Sequence, residues 1–146
     1  MRNRVAVLHG VNLDALGRRP AEHYGGISFA QLERDIERFA RELGLEARFF
    51  QTNHEGEYVE ELHKAGDYAD ALVLNPGAWT HYAWSLRDAV EVSGLPAVEV
   101  HLSDVDSREP FRRQSVLSDV CIARVTGKGV DGYREALERL REELAA

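Results

Sequence analysis

The chain has 146 residues, of which 44% are apolar, and a formal net charge of -7. A chain of this length buries about two-thirds of its unfolded surface around one core, so we expect a single domain over residues 1–146. The negative charge disfavours nucleic acid as a partner. No apolar run approaches the roughly 20 residues that a membrane span needs, and no signal-peptide pattern opens the chain, which predicts a cytoplasmic protein without a membrane partner. The single cysteine, Cys121, excludes an internal disulfide and a thiolate-rich metal site.

Short apolar runs alternate along the chain with apolar residues at helical spacing. Arg4 to His9 is an apolar run that ends at a glycine, and residues 28–43 repeat apolar residues every three or four positions, with Ser28 as a cap and Gly44 as a stop. The remaining elements are predicted as a strand at 45–51, a helix at 57–66, a strand at 71–74, a helix at 80–93, strands at 97–101 and 120–126, and a helix at 131–145. Five strands that alternate with helices need right-handed crossovers and a parallel sheet. We therefore predict an α/β fold, a flavodoxin-like three-layer sandwich with a five-stranded parallel sheet.

Two connections are longer than the usual two to six residues and are expected to cover a functional site. They are residues 10–27 after the first strand and residues 103–117 after the fourth. The first contains neither GxGxxG nor GxxxxGK[ST], so a nucleotide cradle is disfavoured. The chain has no HExxH motif, and the sequence gives no other ligand set for a metal. We expect neither a cofactor nor a metal.

The two lysines are poor candidates for covalent catalysis. Lys64 lies among helix charges and Lys128 in a turn flanked by glycines, so neither has the apolar pocket that activates an imine-forming lysine. His54 and His63 around the second helix are interpreted as solvated surface residues. Cys121, in an apolar run, is interpreted as a buried and unreactive thiol.

Polar groups that suit acid–base chemistry follow the strands at the carboxyl edge of the predicted sheet, where parallel sheets place their ligands. Tyr24 and Arg19 lie in the first long loop, His81 follows the third strand, His101 ends the fourth, and Arg108 begins the second loop's arginine cluster. This set suits proton abstraction beside a carbonyl with acid-assisted loss of a leaving group from a small-molecule substrate. Simpler interpretations remain open, since Tyr24 could pack on the sheet edge and Arg19 could lie in solvent. Glu99 and His101 could likewise form a purely structural pair.

From Val5 to Leu140 the chain resembles the type II 3-dehydroquinate dehydratases, the small heat-stable class of dehydroquinase of the shikimate pathway. The matching segments, in chain order, are residues 10–13 (GVNL), 16–17 (LG), 19 (R), 24–25 (YG), 51–57 (QTNHEGE), 75–78 (NPGA), 80–81 (TH), 86–89 (LRDA), 99–103 (EVHLS), 108–113 (REPFRR) and 127–133 (GKGVDGY). The resemblance implies a cytoplasmic lyase that converts 3-dehydroquinate to 3-dehydroshikimate and water, without cofactor or metal.

The resemblance also implies the catalytic base. Tyr24, as tyrosinate, would remove the C2 proton of the substrate, with Arg19 and Arg108 stabilising its charge. Removing the proton from a free tyrosine at pH 7 costs about 4 kcal/mol. One arginine about 4 Å away, at an effective dielectric constant near 20, contributes roughly 4 kcal/mol before desolvation. Two arginines therefore suffice for a charged tyrosine, whereas one is marginal.

The acid and the substrate contacts come from the same resemblance. His101, oriented by Glu99, would protonate the departing C1 hydroxyl group, and Asn12 would hold a water near the developing enolate oxygen. Asp88 would reach the site of a neighbouring subunit, because the family assembles as trimers joined into dodecamers. The resemblance assigns the substrate carboxylate and ring hydroxyl groups to Asn75, His81, Leu102, Ser103 and Arg112.

Several positions depart from the family's usual residues: Val11, Asp104, Asp106, Gln114, Arg124 and the aromatic residues Trp79, Tyr82 and Trp84. We expect the three aromatics to form an exposed cluster that an oligomer buries, and Arg124 to reflect a changed subunit contact. Asp104 and Asp106 would either weaken binding of an anionic substrate or pair with Arg108 and Arg112. Two alternatives therefore stay open: a relative that acts on another cyclic polyhydroxy acid, and a flavodoxin-like binding module without catalysis.

Overall fold

The computed structural model describes residues 1–146 and is built around a parallel sheet of five strands. The strand order is β2-β1-β3-β4-β5, and every neighbouring pair is parallel. The strands are β1 (Arg4–His9), β2 (Glu46–Gln51), β3 (Ala71–Asn75), β4 (Ala97–His101) and β5 (Ala123–Thr126). The predicted α/β fold with a five-stranded parallel sheet is confirmed.

Helices cover both faces of this sheet. They are α1 (Ala21–Tyr24), α2 (Phe29–Glu42), α3 (Glu55–Lys64), α4 (Trp84–Ser93) and α5 (Asp131–Ala145). Helices α2 and α5 pack on the side chains of Val5 and Val7, whereas α3 and α4 pack on those of Ala6 and Leu8. Successive residues of a strand face opposite sides, so β1 contributes to both cores and the molecule has three layers. No helix combines the length and the apolar character that crossing a membrane requires.

The ends of α2 follow the sequence signals closely. The Ser28 hydroxyl oxygen accepts a hydrogen bond of 3.1 Å from the backbone N–H of Gln31, as expected of an N-cap. Gly44 follows the helix with a φ of 74°, a conformation that glycine adopts without strain. The helix predicted for residues 28–43 thus has both of its predicted boundaries.

The helix α3 lies two residues earlier than predicted, and β2 and β3 each differ from the prediction by one residue at one end. The largest differences are at the starts of two elements. The helix expected from Thr80 begins at Trp84, because residues Gly77–His81 form a separate 3-10 helix. The strand expected from Val120 begins at Ala123, because Ser118–Val120 form a 3-10 turn. The Ser115 hydroxyl oxygen accepts the backbone N–H groups of residues 117 and 118 at the start of that turn, each at 3.1 Å.

The two long loops contain short 3-10 helices and lie against the carboxyl edge of the sheet: Leu13–Arg18 in the first loop, and Val105–Ser107 with Pro110–Arg113 in the second. The chain after β1 also touches the chain after β3. A Cβ atom on Gly10 would overlap the carbonyl group of Pro76, and one on Gly77, whose φ is 66°, would lie 2.6 Å from the Val11 carbonyl oxygen. This close approach brings the ends of β1 and β3 to one side of a cavity.

Candidate active site

A cavity of about 150 Å³ lies at the carboxyl ends of β1, β3 and β4, under the two long loops. Ten of the twelve residues predicted for the site line it: Asn12, Arg19, Tyr24, Asn75, His81, His101, Leu102, Ser103, Arg108 and Arg112. Glu99 is fully buried behind His101, and Asp88 is exposed on α4, outside this cavity. The structure thus brings most of the predicted residues into one enclosure. The remaining lining, not singled out from the sequence, is Val11, Leu13, Leu16, Gly77, Ala78 and Val105.

The hydroxyl group of Tyr24 lies between two guanidinium groups. Nη2 of Arg19 and Nη1 of Arg108 each donate to the Tyr24 oxygen at 2.6 Å. The two arginines come from different long loops, and their guanidinium carbons lie 4.3 and 5.3 Å from the centre of the tyrosine ring. Two positive charges directed at one oxygen stabilise negative charge there. This arrangement allows the Tyr24 oxygen to carry a negative charge and to accept a proton.

Asn12 begins the first loop in the left-handed region, with a φ of 69°. Asparagine tolerates this conformation better than most residues. Its backbone N–H donates to the side-chain oxygen of Asn53 at 2.8 Å, which fixes the turn. Asn12 lines the cavity, and a side-chain amide at this position can bind a polar ligand or a water.

His101 is held by the buried carboxylate of Glu99. The distance from His101 Nε2 to Glu99 Oε2 is 2.6 Å. Because Nε2 is engaged, Nδ1 is the ring nitrogen left for the cavity. Burial opposes the charged form of Glu99 and raises its pKa. The hydrogen bond and the charge of His101, with hydroxyl groups that donate to the carboxylate, act in the opposite direction and bring that pKa down to about 2. Glu99 thus remains a carboxylate behind the imidazole.

Three hydroxyl groups complete the surroundings of Glu99, and the sequence reading missed all of them. Thr80 donates to Oε2, and Ser115 and Ser118 donate to Oε1 at 2.7 and 3.0 Å. A buried carboxylate is stable only where hydrogen-bond donors surround it. Thr80, next to His81, and the serines that follow the arginine cluster are the residues from which these donors could have been predicted.

Arg124 is the register partner of Glu99 across β4 and β5, and its Nε lies 3.9 Å from Glu99 Oε2. Nε and Nη2 of Arg124 have no hydrogen-bond partner within the chain. The expected change of subunit contact at Arg124 stays a prediction, but within the chain the residue adds positive charge beside the carboxylate.

His81 presents a defined nitrogen to the cavity. The carbonyl oxygen of Gln114 accepts a hydrogen bond of 2.8 Å from His81 Nδ1, which places the proton on that atom. Burial lowers the pKa of His81, and the positive charge of Arg112 acts in the same direction, against the hydrogen bond to Gln114. The ring is therefore neutral, and its Nε2 can accept a hydrogen bond from a ligand hydroxyl group.

The carboxylate that forms ion pairs with Arg108 and Arg112 is that of Glu109, a residue that the sequence did not predict for this role. It lies 3.1 Å from Nε of Arg112 and 3.9 Å from Nε of Arg108. The predicted pairing of Asp104 and Asp106 with these arginines is wrong, because neither aspartate forms an ion pair. The turn geometry is the reason: Asp104 packs beside Gly127, and its carbonyl oxygen accepts from Ser107.

The predicted aromatic cluster is also only partly right. Tyr82 and Trp84 are each 59% exposed, but Trp79 is 5% exposed. Trp79 packs edge-on against Tyr58 with ring centres 5.8 Å apart, as part of the core under α3 and α4. The 3-10 helix that replaces the start of α4 turns this side chain inward.

The groups set aside from the sequence have no part in the cavity. Lys64 and Lys128 are exposed, and Lys128 forms an ion pair with Glu135. Cys121 is partly buried rather than fully buried as predicted, and this burial raises the pKa of its thiol to about 12, which keeps it protonated. No group of three or more His, Cys, Asp or Glu side chains is placed to hold a metal ion.

Comparison with known proteins gives one consistent family. The family model described as Dehydroquinase class II matches residues 3–141. The 3-dehydroquinate dehydratase of Caldicellulosiruptor bescii is 42% identical over 142 residues, which are 97% of this chain and 98% of that protein. That of Pelotomaculum thermopropionicum is 47% identical over 134 residues, 92% and 93% of the two chains. The crystal structure of type II dehydroquinase from Butyrivibrio crossotus DSM 2876 superposes with a TM-score of 0.91 at 36% identity, covering 95% of this chain and 97% of the other.

Proposed function

This chain belongs to the class II dehydroquinases and is an enzyme of that type, a 3-dehydroquinate dehydratase, and we propose that it removes water from its substrate through an enolate. The ionised Tyr24 oxygen takes the proton from C2, and the electron pair moves to the C3 carbonyl oxygen. The enolate then reforms the ketone, a double bond forms between C1 and C2, and the C1 hydroxyl group leaves as water with a proton from His101.

The observation that carries this proposal is the Tyr24 hydroxyl group held at 2.6 Å by each of two arginines in the same cavity as His101. The arginines stabilise the negative charge that a base must carry before it accepts a proton. A hydroxide ion is a poor leaving group, so the departing C1 hydroxyl group needs a proton donor. His101 lines the cavity, and Glu99 holds its Nε2, so Nδ1 is the ring nitrogen left for that donation.

The other lining groups are assigned to binding. Arg112 and the backbone around Leu102 and Ser103 suit the substrate carboxylate, whereas Asn75 and His81 suit ring hydroxyl groups. Asn12 is assigned to a water that donates to the enolate oxygen as charge develops there. Neutral His81 accepts a hydrogen bond through Nε2, so it favours a ligand hydroxyl group, which can donate, over a ligand group that can only accept.

We also propose that Asp88 acts in the site of a neighbouring subunit, within trimers that associate as dodecamers. Asp88 is exposed and does not line the cavity of its own chain, which is what a residue shared between subunits requires. Trp84 begins the same helix, Tyr82 lies two residues before it, and both expose apolar surface that a partner would cover.

The test separates the base from the acid. Wild-type protein given 3-dehydroquinate should produce the absorbance of the enone product, and a failure to do so would contradict the proposed reaction. In D2O, His101→Ala should lose dehydration yet still exchange the C2 hydrogen for deuterium, because Tyr24 and both of its arginines remain. If His101→Ala lost exchange as completely as dehydration, the imidazole would belong to the proton-abstraction step, and the assigned roles would be wrong.

A further inference from the structure

Three buried polar side chains form a hydrogen-bonded chain that begins at the cavity and runs away from it. Nδ2 of Asn75 donates to the Tyr133 hydroxyl oxygen at 2.8 Å, and that oxygen lies 2.9 Å from Nε2 of His9. Asn75 and His9 are register partners at the ends of β3 and β1, and Tyr133 lies in the first turn of α5. Asn75 is 4% exposed, and the other two are fully buried. Only Asn75 lines the cavity, so His9 and Tyr133 have no direct access to a substrate.

The partners of these side chains favour one set of hydrogen-bond directions. The backbone N–H of Gly77 donates to Oδ1 of Asn75 at 3.2 Å, so the other end of the amide, Nδ2, faces Tyr133. An amide nitrogen only donates, which makes the Tyr133 oxygen an acceptor and leaves its single proton for His9. An N–H group at Nε2 of His9 would leave the buried tyrosine proton without an acceptor, so we infer that Nε2 is unprotonated. Burial lowers the pKa of His9 to about 3, which agrees with a neutral ring.

This arrangement lowers the stability of the fold, and packing alone does not explain why such polar side chains stand here. With the proton of neutral His9 on Nδ1, that N–H group is buried and has no partner. An unpartnered buried donor destabilises a fold, whereas an apolar side chain of similar shape would not. A phenylalanine in place of Tyr133 would likewise fill the core without demanding an acceptor.

We propose that Tyr133 and His9 are positioning residues that act through Asn75, and this inference rests on the proposed dehydratase function. Tyr133 accepts a hydrogen bond from Nδ2 of Asn75. His9 accepts the hydrogen bond that Tyr133 donates, so the tyrosine proton is directed away from Asn75. A reversed Asn75 amide would set Nδ2 against the Gly77 N–H group and is excluded. The substrate therefore meets one fixed pattern, the second Nδ2 hydrogen and the remaining Oδ1 lone pair.

The matched pair for a test is Tyr133→Phe and Tyr58→Phe. Both tyrosines are fully buried, but the Tyr58 hydroxyl group donates to the carbonyl oxygen of Leu8 at 2.8 Å, and neither Tyr58 nor Leu8 lines the cavity. Tyr133→Phe should raise KM for 3-dehydroquinate about tenfold and leave kcat within about threefold of wild type, as expected for one lost binding hydrogen bond. Tyr58→Phe should change urea stability to a similar extent and leave KM unchanged. Equal KM values for the two variants would overturn the proposal.

A double-mutant cycle shows whether Tyr133 works through Asn75. In an Asn75→Ala background, Tyr133→Phe should have no further effect on KM, and an additive effect would contradict the assignment.

His9→Phe tests the far end of the hydrogen-bonded chain. It preserves the ring contact with Phe29, whose centre lies 5.1 Å away, and should raise KM as Tyr133→Phe does. Nitrogen NMR of wild-type protein gives a readout without activity: His9 should carry its proton on Nδ1, and a proton on Nε2 would overturn the scheme. If the wild type is active and Tyr133→Phe has the wild-type KM, only the positioning role is refuted. If the wild type itself does not dehydrate 3-dehydroquinate, the proposed function is refuted.

Discussion

Arg108→Met should lower the rate of dehydration because it removes one of the two positive charges on the Tyr24 oxygen. The Arg108 side chain is 8% exposed, and its Nη1 lies 2.6 Å from that oxygen. A charge-assisted hydrogen bond stabilises by about 1.5–3 kcal/mol. A unit charge at about 4 Å and an effective dielectric constant near 20 contributes about 4 kcal/mol before desolvation is subtracted. We therefore expect a barrier about 2–3 kcal/mol higher, which is a 30- to 150-fold lower kcat.

The assay is the growth of enone absorbance at saturating substrate, with Arg113→Met as the control. Arg113 lies five positions further along the same loop, and its exposed side chain forms no ion pair with Glu109. Replacing it with Met changes the net charge by the same amount as Arg108→Met. We expect Arg113→Met to keep wild-type kcat. A kcat for Arg108→Met within about threefold of wild type, or an equal loss in both variants, would refute a specific charge effect on Tyr24.

Three further predictions concern stability, covalent chemistry and assembly. The pKa of His9 is about 3 in the folded chain, below that of an exposed histidine, so the stability it contributes is present above about pH 6.5 and is lost as the pH falls towards 3. Wild type should therefore lose about 2 kcal/mol more unfolding free energy than His9→Phe between about pH 7.5 and about pH 5, and parallel urea curves would contradict this. Borohydride added with substrate should leave activity and mass unchanged, whereas a reduced adduct on Lys64 or Lys128 would show imine chemistry. Asp88→Ala should weaken substrate binding and loosen the oligomer in sedimentation, while a change at Glu138 on α5 should do neither; a fully active monomer would refute a shared site.

The sequence predicted the central strands well because β1, β3 and β4 are short, mostly apolar runs with their own boundary signals. The bounds of β1, β4 and α5 agree with the prediction to the residue. The start of α4 was wrong because Ala83, with φ -87° and ψ 86°, interrupts an apolar pattern that reads as continuous. The start of β5 was wrong because hydrogen bonds to Ser115, rather than hydrophobicity, decide the turn before it.

The site was predictable where residues follow strand ends and unpredictable where loops fold back. His101 and Asn75 end their strands, so a parallel sheet alone brings them to one edge. The pairing of Arg112 with Glu109 depends on a 3-10 turn at residues 110–113 that the sequence does not specify. The contact between His9 and Tyr133 joins residues 124 positions apart, and no local pattern reveals it.

Tyr24→Phe tests the central claim most directly, because it keeps the ring and removes only the oxygen that both arginines contact. The measurement is kcat from enone absorbance, together with exchange of the substrate C2 hydrogen in D2O. We predict that the variant folds with wild-type secondary structure by circular dichroism, loses nearly all turnover and loses C2 exchange as well. Turnover above about a tenth of the wild-type rate, equivalent to a barrier change under about 1.4 kcal/mol, would contradict the assignment of Tyr24 as the base.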